Sequence, residues 1–196
     1  VGGKDGSLVI DLKHFQQLSI NSTSGVATIG GGTRLGPLYS KLWNAGNYLI
    51  AAGICPAVGI GGIALGGGIG MASRKYGMTT QNIVGMTLID ANGSIRKVNA
   101  SSNPDLFWAL RGAGGGSFGV VTESQIQIYK APPSMAFMQL TYPLSKYQSV
   151  IHAFDTWGIT APDDIYAGLV FGRDNITISV SYLGCSGAAQ VAFAHF

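Results

Sequence analysis

Between Gly53 and Gly70 the chain reads GICPAVGIGGIALGGGIG, eight glycines in eighteen residues with one of only two cysteines near the front. No other feature restricts the fold as strongly. A segment so poor in Cβ atoms has little to bury, and each glycine in a helix interior costs about 1 kcal/mol relative to alanine. Two uses remain for such a run. It can make tight turns and close backbone crossings, or it can leave a length of peptide N–H bare, as an extended anionic ligand such as a pyrophosphate requires.

Gly59-Ile60-Gly61-Gly62-Ile63-Ala64 satisfies the G-x-G-x-x-A dinucleotide fingerprint, and Gly114 to Gly119 makes a second formal match. The context of a Rossmann unit is missing. A fingerprint should open a helix, yet Gly66, Gly67 and Gly68 follow at once, and together they cost a helix about 3 kcal/mol. Asp90 lies too far along the chain to be the ribose-binding acid, and the second match runs into a strand pattern. The tract is therefore expected to be loop, not helix.

Composition narrows the classes of function. Hydrophobic residues make up 46% and charged residues 11% of the 196 residues, which describes a packed globule. The net charge of +3 is spread without a basic run, so nucleic acid is not an expected partner. No apolar stretch reaches the ~18 residues of a membrane span, so no membrane partner is expected either. The chain begins without an initiator Met and without a signal peptide, as a mature or excised piece would. Four acceptor sequons, at Asn21, Asn92, Asn99 and Asn175, favour a secreted glycoprotein. Cys55 and Cys185 are then available for a disulfide.

The local patterns predict antiparallel strands with interspersed helices, an α+β class. Ser7 to Leu12 and Val26 to Ile29 read as strands around a turn at Asn21 to Gly25. Leu35 to Asn44 spaces Leu35, Leu38, Leu42 and Trp43 along a helical face, with Thr33 as its N-cap and Gly46 beyond its end. A short strand at Tyr48 to Ala51 precedes the glycine tract. Asn82 to Asp90 and Ser94 to Val98 flank Ala91-Asn92-Gly93 as a hairpin. Pro104 to Leu110 is a helix capped by Asn103, Arg111 to Gly119 a second glycine loop, and Val120 to Ile128 a strand. Pro132-Pro133 marks a boundary. Beyond it, strands are expected at Met135 to Tyr142, Ile165 to Val170 and Ile176 to Tyr182, and helices at Ser145 to Trp157 and from Ala188 to Phe196.

Three motifs in unchanged order carry a family resemblance. Cys55-Pro56-Ala57-Val58-Gly59-Ile60-Gly61-Gly62, Leu65-Gly66-Gly67-Gly68-Ile69-Gly70, and Asp105-Leu106-Phe107-Trp108-Ala109-Leu110-Arg111-Gly112 with its glycine loop resemble the berberine bridge enzyme-like branch of the vanillyl-alcohol oxidase flavoproteins. Fungal carbohydrate oxidases, which oxidise the reducing end of oligosaccharides, are especially similar. The likeness runs from Gly2 to about Ile128. It implies a PCMH-type FAD-binding domain over residues 1–131, incomplete at its N-terminus, and the start of an α+β substrate domain over 132–196.

The resemblance implies roles residue by residue. Cys55 takes the position of a cysteine that forms a thioether to the flavin ring, with Pro56 beside it; the alternative for this thiol is a disulfide or a free buried sulfur. Val58, Gly59, Ile60, Gly61, Gly62, Leu65, Gly66, Gly67 and Gly70 correspond to backbone around the pyrophosphate and flavin edge. Gly119 and Val121 correspond to the adenosine side. Val58 further matches a position associated with dioxygen access, which favours an oxidase. Relatives commonly carry histidine where this chain has Ile63, and often hold FAD through a second, upstream histidine that this chain does not contain.

None of His14, His152 or His195 fits that upstream motif, and the tyrosines read as packing residues. No catalytic residue and no metal ligand is assigned. The implied activity is an FAD-dependent oxidation of a sugar or another alcohol with O2 as acceptor, giving hydrogen peroxide. A flavin dehydrogenase, an alkaloid-type oxidase and a non-catalytic secreted binding protein on the same scaffold are the alternatives. An isolated piece of this length is expected to retain flavin weakly.

Overall fold

The computed structural model describes residues 5–184. Strands β1 (Leu18–Asn21) and β2 (Val26–Gly30) form a hairpin. Its turn is the one expected at Asn21 to Gly25, closed by the Asn21 carboxamide oxygen accepting the N–H groups of Thr23 and Ser24, both at 3.0 Å. The expected strand at Ser7 to Leu12 does not form, and Leu8 is 87% exposed. Leu18 and Ile20 pack against the core from a segment only a short turn away from β2, and closing that small loop costs less entropy than recruiting a distant partner.

Strands β4 (Ile83–Ile89), β5 (Ile95–Asn99) and β6 (Val120–Gln127) complete an antiparallel sheet in the order β1-β2-β6-β4-β5. The β4–β5 turn is the expected hairpin, with Gly93 at φ +77°. One face of the sheet buries Ala27, Ile29, Met86, Leu88, Val98 and Ile126 in a single cluster with helices α1 (Leu35–Asn44), α2 (Ile60–Gly66) and α4 (Pro104–Leu110). Leu35, Leu38 and Leu42 of α1 are fully buried, as their helical spacing requires, whereas Trp43 turns half-exposed to the edge of that face. Asn103 stands at the cap of α4, but its side chain donates to the Lys97 carbonyl at 3.2 Å instead of capping the helix.

The strand expected at Tyr48 to Ala51 shortens to β3 (Tyr48–Leu49), paired with β7 (Tyr129–Lys130). After the irregular Pro132-Pro133 segment come β8 (Ala136–Pro143), α5 (Tyr147–Thr160), β9 (Ile165–Phe171) and β10 (Asn175–Tyr182). These strands form a second antiparallel sheet, β8-β10-β9. Ile176, Ile178 and Val180 alternate inward from β10 and meet Val150 and Trp157 of α5 in a separate buried cluster.

The short helix α3 (Ser73–Tyr76) joins the two parts. The Arg74 guanidinium donates to the carbonyls of Gly158 (2.9 Å) and Ala161 (2.7 Å) at the C-terminal end of α5, and Lys75 pairs with Asp164. Cationic donors at those carbonyls satisfy groups the helix leaves unpaired. The helix expected from Ala188 and the cysteine at 185 lie outside the described residues. Among the described residues no helix is long and apolar enough to cross a membrane.

Candidate cofactor site

The Cys55 loop is built onto the start of α1. A helix leaves its first N–H groups without internal partners, and Thr33 was the expected side-chain cap. Arg34 instead occupies the cap position and makes no side-chain cap bond. The loop supplies the acceptors: the Leu35 N–H donates to the Val58 carbonyl (2.9 Å) and the Gly36 N–H to the Pro56 carbonyl (3.0 Å). Thr33 points inward, 2% exposed, and its Oγ1 has no partner among the described residues. Its main-chain carbonyl still serves the site by accepting the Ile60 N–H at 2.8 Å.

Residues 54–59 are all exposed between buried neighbours, and Cys55 carries a free thiol. The thiol thus stands at the surface on a strap whose far flank is tied by main-chain bonds. At the near flank the Tyr39 hydroxyl donates to the Gly53 carbonyl. Burial pushes the Tyr39 phenol up to about 12, so it remains a neutral donor at physiological pH.

The glycine tract contains a helix after all. Helix α2 begins at Ile60 and includes Gly61, Gly62 and Gly66, against the expectation of loop throughout. Ile60, Ala64 and Leu65 are buried; full burial of an Ile or Leu side chain contributes about 1.5–3 kcal/mol, enough to offset the glycine penalty over two turns. The helix stops where Gly67 and Gly68 adopt φ of +130° and +83°.

The glycines fall into two groups. At Gly61 a Cβ would stand 2.5 Å from the Gly31 carbonyl oxygen, and at Gly31 2.7 Å from that of Val121. At Gly70 it would overlap the Ala52 carbonyl oxygen, and at Gly119, φ +137°, that of Ile89. These positions are glycine because main chain packs on main chain. At Gly59, Gly62, Gly66 and Gly115 a Cβ would meet nothing within 4 Å, and none has a positive φ. Neither backbone strain nor internal packing accounts for glycine there.

Gly61, Gly62, Leu65, Gly119 and Val121 line one cavity of about 250 Å³, bordered also by Gly31, Gly115 and Gly116. Both glycine tracts therefore converge on one cavity. Cys55, Pro56, Val58 and Gly59 lie outside this cavity, on the exposed strap that leads into α2. Ile60 sends its side chain into the core, while Gly66 and Gly67 end α2 and Gly70 crosses under Ala52. Sequence reasoning missed Ile10, Leu12, Gly31, Gly115, Gly116 and Val120 in the wall; the triplet Gly30-Gly31-Gly32 and the second glycine loop were the available signals. Asp90 is excluded as a ribose ligand, since its carboxylate is held by Arg96 and by the N–H groups of Ser94 and Asn92.

A larger cavity of about 640 Å³, with Tyr39, Trp43, Tyr48 and Met71 in its walls, reaches Gly53 and Ile54 beside the cysteine. Both cavities are lined mainly by apolar atoms; large side chains wall this one, whereas glycines wall the smaller. At the glycine-lined cavity, Gly62 and Gly115 leave open, beside bare main chain, room that the protein's own packing does not claim. The bare main chain there has the character that the pyrophosphate part of a dinucleotide cofactor requires.

Comparison with known proteins gives the same direction. A family model described as an FAD binding domain matches residues 1–99. The chain is 34% identical over 193 residues to a chitooligosaccharide oxidase of Gibberella zeae, covering 97% of this chain and 39% of that protein. It is 40% identical over 158 residues to a glucooligosaccharide oxidase of Sarocladium strictum, covering 80% of this chain and 31% of that protein. The solved structure of Physcomitrella patens BBE-like 1 superposes with a TM-score of 0.95 at 38% identity, over 100% of this chain and 43% of that one. The chain thus spans between 31% and 39% of the length of these two curated relatives. With three glycine runs folded around one cavity and a free cysteine on the adjoining strap, this chain belongs to the FAD binding domain family and has the PCMH-type fold of berberine bridge enzyme-like oxidases.

Proposed function

We propose that this chain forms the cofactor-holding part of a secreted, FAD-dependent oxidase that converts a sugar or another alcohol with dioxygen as acceptor, releasing hydrogen peroxide. The observation that carries the reading is the pair of open positions, Gly62 and Gly115, in a cavity walled by both glycine tracts. FAD supplies the hydride acceptance and the reaction with dioxygen. The chain's own share is to hold and orient. The main chain at Gly61, Gly62, Gly115 and Gly119 would admit the cofactor at close range, and Leu65 and Val121 would give it an apolar wall. Cys55 is free, exposed and tethered, as a residue bonded to the flavin ring must be before attachment. Val58, three residues on and partly exposed, is placed on the same strap; a small β-branched side chain there leaves access for dioxygen. A second covalent link would come from a histidine upstream.

The sequon residues Asn21, Asn92, Asn99 and Asn175 are all exposed, which supports a glycosylated, secreted protein. The test uses the whole flavoprotein containing this chain. The tryptic peptide carrying Cys55 is expected to bear the mass of FAD, and oligosaccharides are expected to yield peroxide in step with sugar consumed. Turnover only with an artificial electron acceptor would replace the oxidase by a dehydrogenase. An unmodified Cys55 peptide from a yellow, active preparation would remove the thioether.

A further inference from the structure

We propose that Tyr39 is a positioning residue for the Cys55 thiol: by donating its hydroxyl to the Gly53 carbonyl it holds the near flank of the strap so that the sulfur meets the flavin ring. The inference rests on the reading of Cys55 given above. Main-chain bonds alone secure the far flank, from Leu35 to Val58 and from Gly36 to Pro56, and Ile60 is tied back to Thr33. Those bonds survive any change of side chain. The near flank is different, because the bond to Gly53 comes from a side chain. Tyr39 sits one helical turn after Leu35, so a single helix, α1, grips the strap on both sides of Cys55.

Holding both flanks matters for a bond that forms once. Attachment is an intramolecular step whose rate depends on how often the sulfur lies in line with the ring carbon. The thiol loses its proton and the ring carbon its hydrogen as the carbon–sulfur bond forms. The two electrons released pass to the flavin, which dioxygen reoxidises to give hydrogen peroxide, so the step balances as thiol plus flavin plus O2. Tyr39 takes no part in the electron flow. Burial keeps its phenol protonated, and therefore donating, through neutral and moderately alkaline pH.

The test is Tyr39→Phe in the whole flavoprotein, produced without flavin and then supplied with FAD. The fraction of Cys55 peptide carrying flavin is followed by mass spectrometry against time, with total bound FAD and melting temperature measured alongside. Attachment is expected to slow roughly fivefold, the change that loss of one neutral hydrogen bond produces, while FAD content stays at the wild-type level. Tyr39→Met, which removes the donor but keeps apolar bulk, must behave as Tyr39→Phe does, and it carries the test where the phenylalanine variant does not fold. Attachment at the wild-type rate in a folded variant overturns the role of Tyr39 and leaves the Cys55 reading intact. Wild-type protein whose Cys55 peptide never gains flavin overturns both.

Discussion

The glycine loops and the β8–β10 unit are packed by opposite means. In the second unit, between Ala136 and Tyr182, glycine occurs only at 158, 168 and 172, and β10 buries Ile176, Ile178 and Val180 against α5 through side chains. Around the glycine-lined cavity the carbonyl oxygens of Leu12, Gly31, Ala52 and Ile89 occupy the places where a Cβ would stand at Gly32, Gly61, Gly70 and Gly119. One region is held by side-chain volume. The other depends on the absence of side chains, and part of that absence, at Gly62 and Gly115, does nothing for the protein itself. Glycine richness is therefore two signals superposed, one for close backbone crossing and one for space left open beside the main chain.

The comparison can be broken by substitution in the whole flavoprotein. Ile178→Ala should have the largest effect on stability: the side chain is fully buried, and truncation of such a residue costs about 2–5 kcal/mol. Denaturant titration should show that loss with FAD binding otherwise retained below the transition. A cost under about 1 kcal/mol would mean that the second unit does not depend on side-chain volume.

Next in size comes the contrast between two adjacent glycines. Gly61→Ala forces a Cβ against the Gly31 carbonyl oxygen at 2.5 Å and should destabilise by about 1–3 kcal/mol. Gly62→Ala meets no atom within 4 Å and should leave stability unchanged or raise it by about 0.5–1 kcal/mol, since alanine suits a helix interior better. The same substitution fills cavity space, and the affinity for FAD before covalent attachment should fall roughly tenfold, equivalent to about 1.4 kcal/mol. Equal destabilisation by the two variants, with FAD affinity untouched, would erase the distinction between crossing glycines and cradle glycines.

The smallest effect belongs to the β4–β5 turn. The Arg96 guanidinium, followed by the Ser94 and Asn92 N–H groups, holds the Asp90 carboxyl below its ordinary value. A lowered folded-state pKa stabilises the fold above the unfolded pKa, about 3.9 for aspartate, and that contribution disappears as the pH falls through the folded value. Melting temperature should therefore drop less steeply on acidification in Asp90→Asn than in wild type, with the two profiles offset above about pH 4 and converging below it. Parallel acid limbs would show that the turn's ionic bonds contribute nothing measurable.

Where local periodicity and turn chemistry act alone, the structure follows the sequence closely. Helix α1 runs over Leu35–Asn44 as its spacing predicts and α4 over Pro104–Leu110 as its opening proline predicts, and Asn92-Gly93 closes its hairpin. The second unit likewise places its three strands and α5 within a few residues of the pattern. The misses arose where partners distant in sequence compete with local preference. Thr33 has the chemistry of a cap, but carbonyls of the Cys55 strap, more than twenty residues on, reach the N–H groups of α1 first. The apolar run Leu8-Val9-Ile10 has strand composition and stays unpaired, since β2 is already flanked by β1 and β6.

The sequence by itself determined that bare main chain gathers at two tracts, that a cysteine accompanies one of them, and that antiparallel strands and short helices surround both. Those properties are intrinsic to residues and their immediate neighbours. The tertiary structure alone decided which glycines are crossings and which are open, that Gly31 joins them, and that Tyr39 and the first turn of α1 carry the Cys55 strap. A missing Cβ looks the same in the sequence whatever lies beyond it; only the folded neighbours say whether another backbone or empty space fills its place.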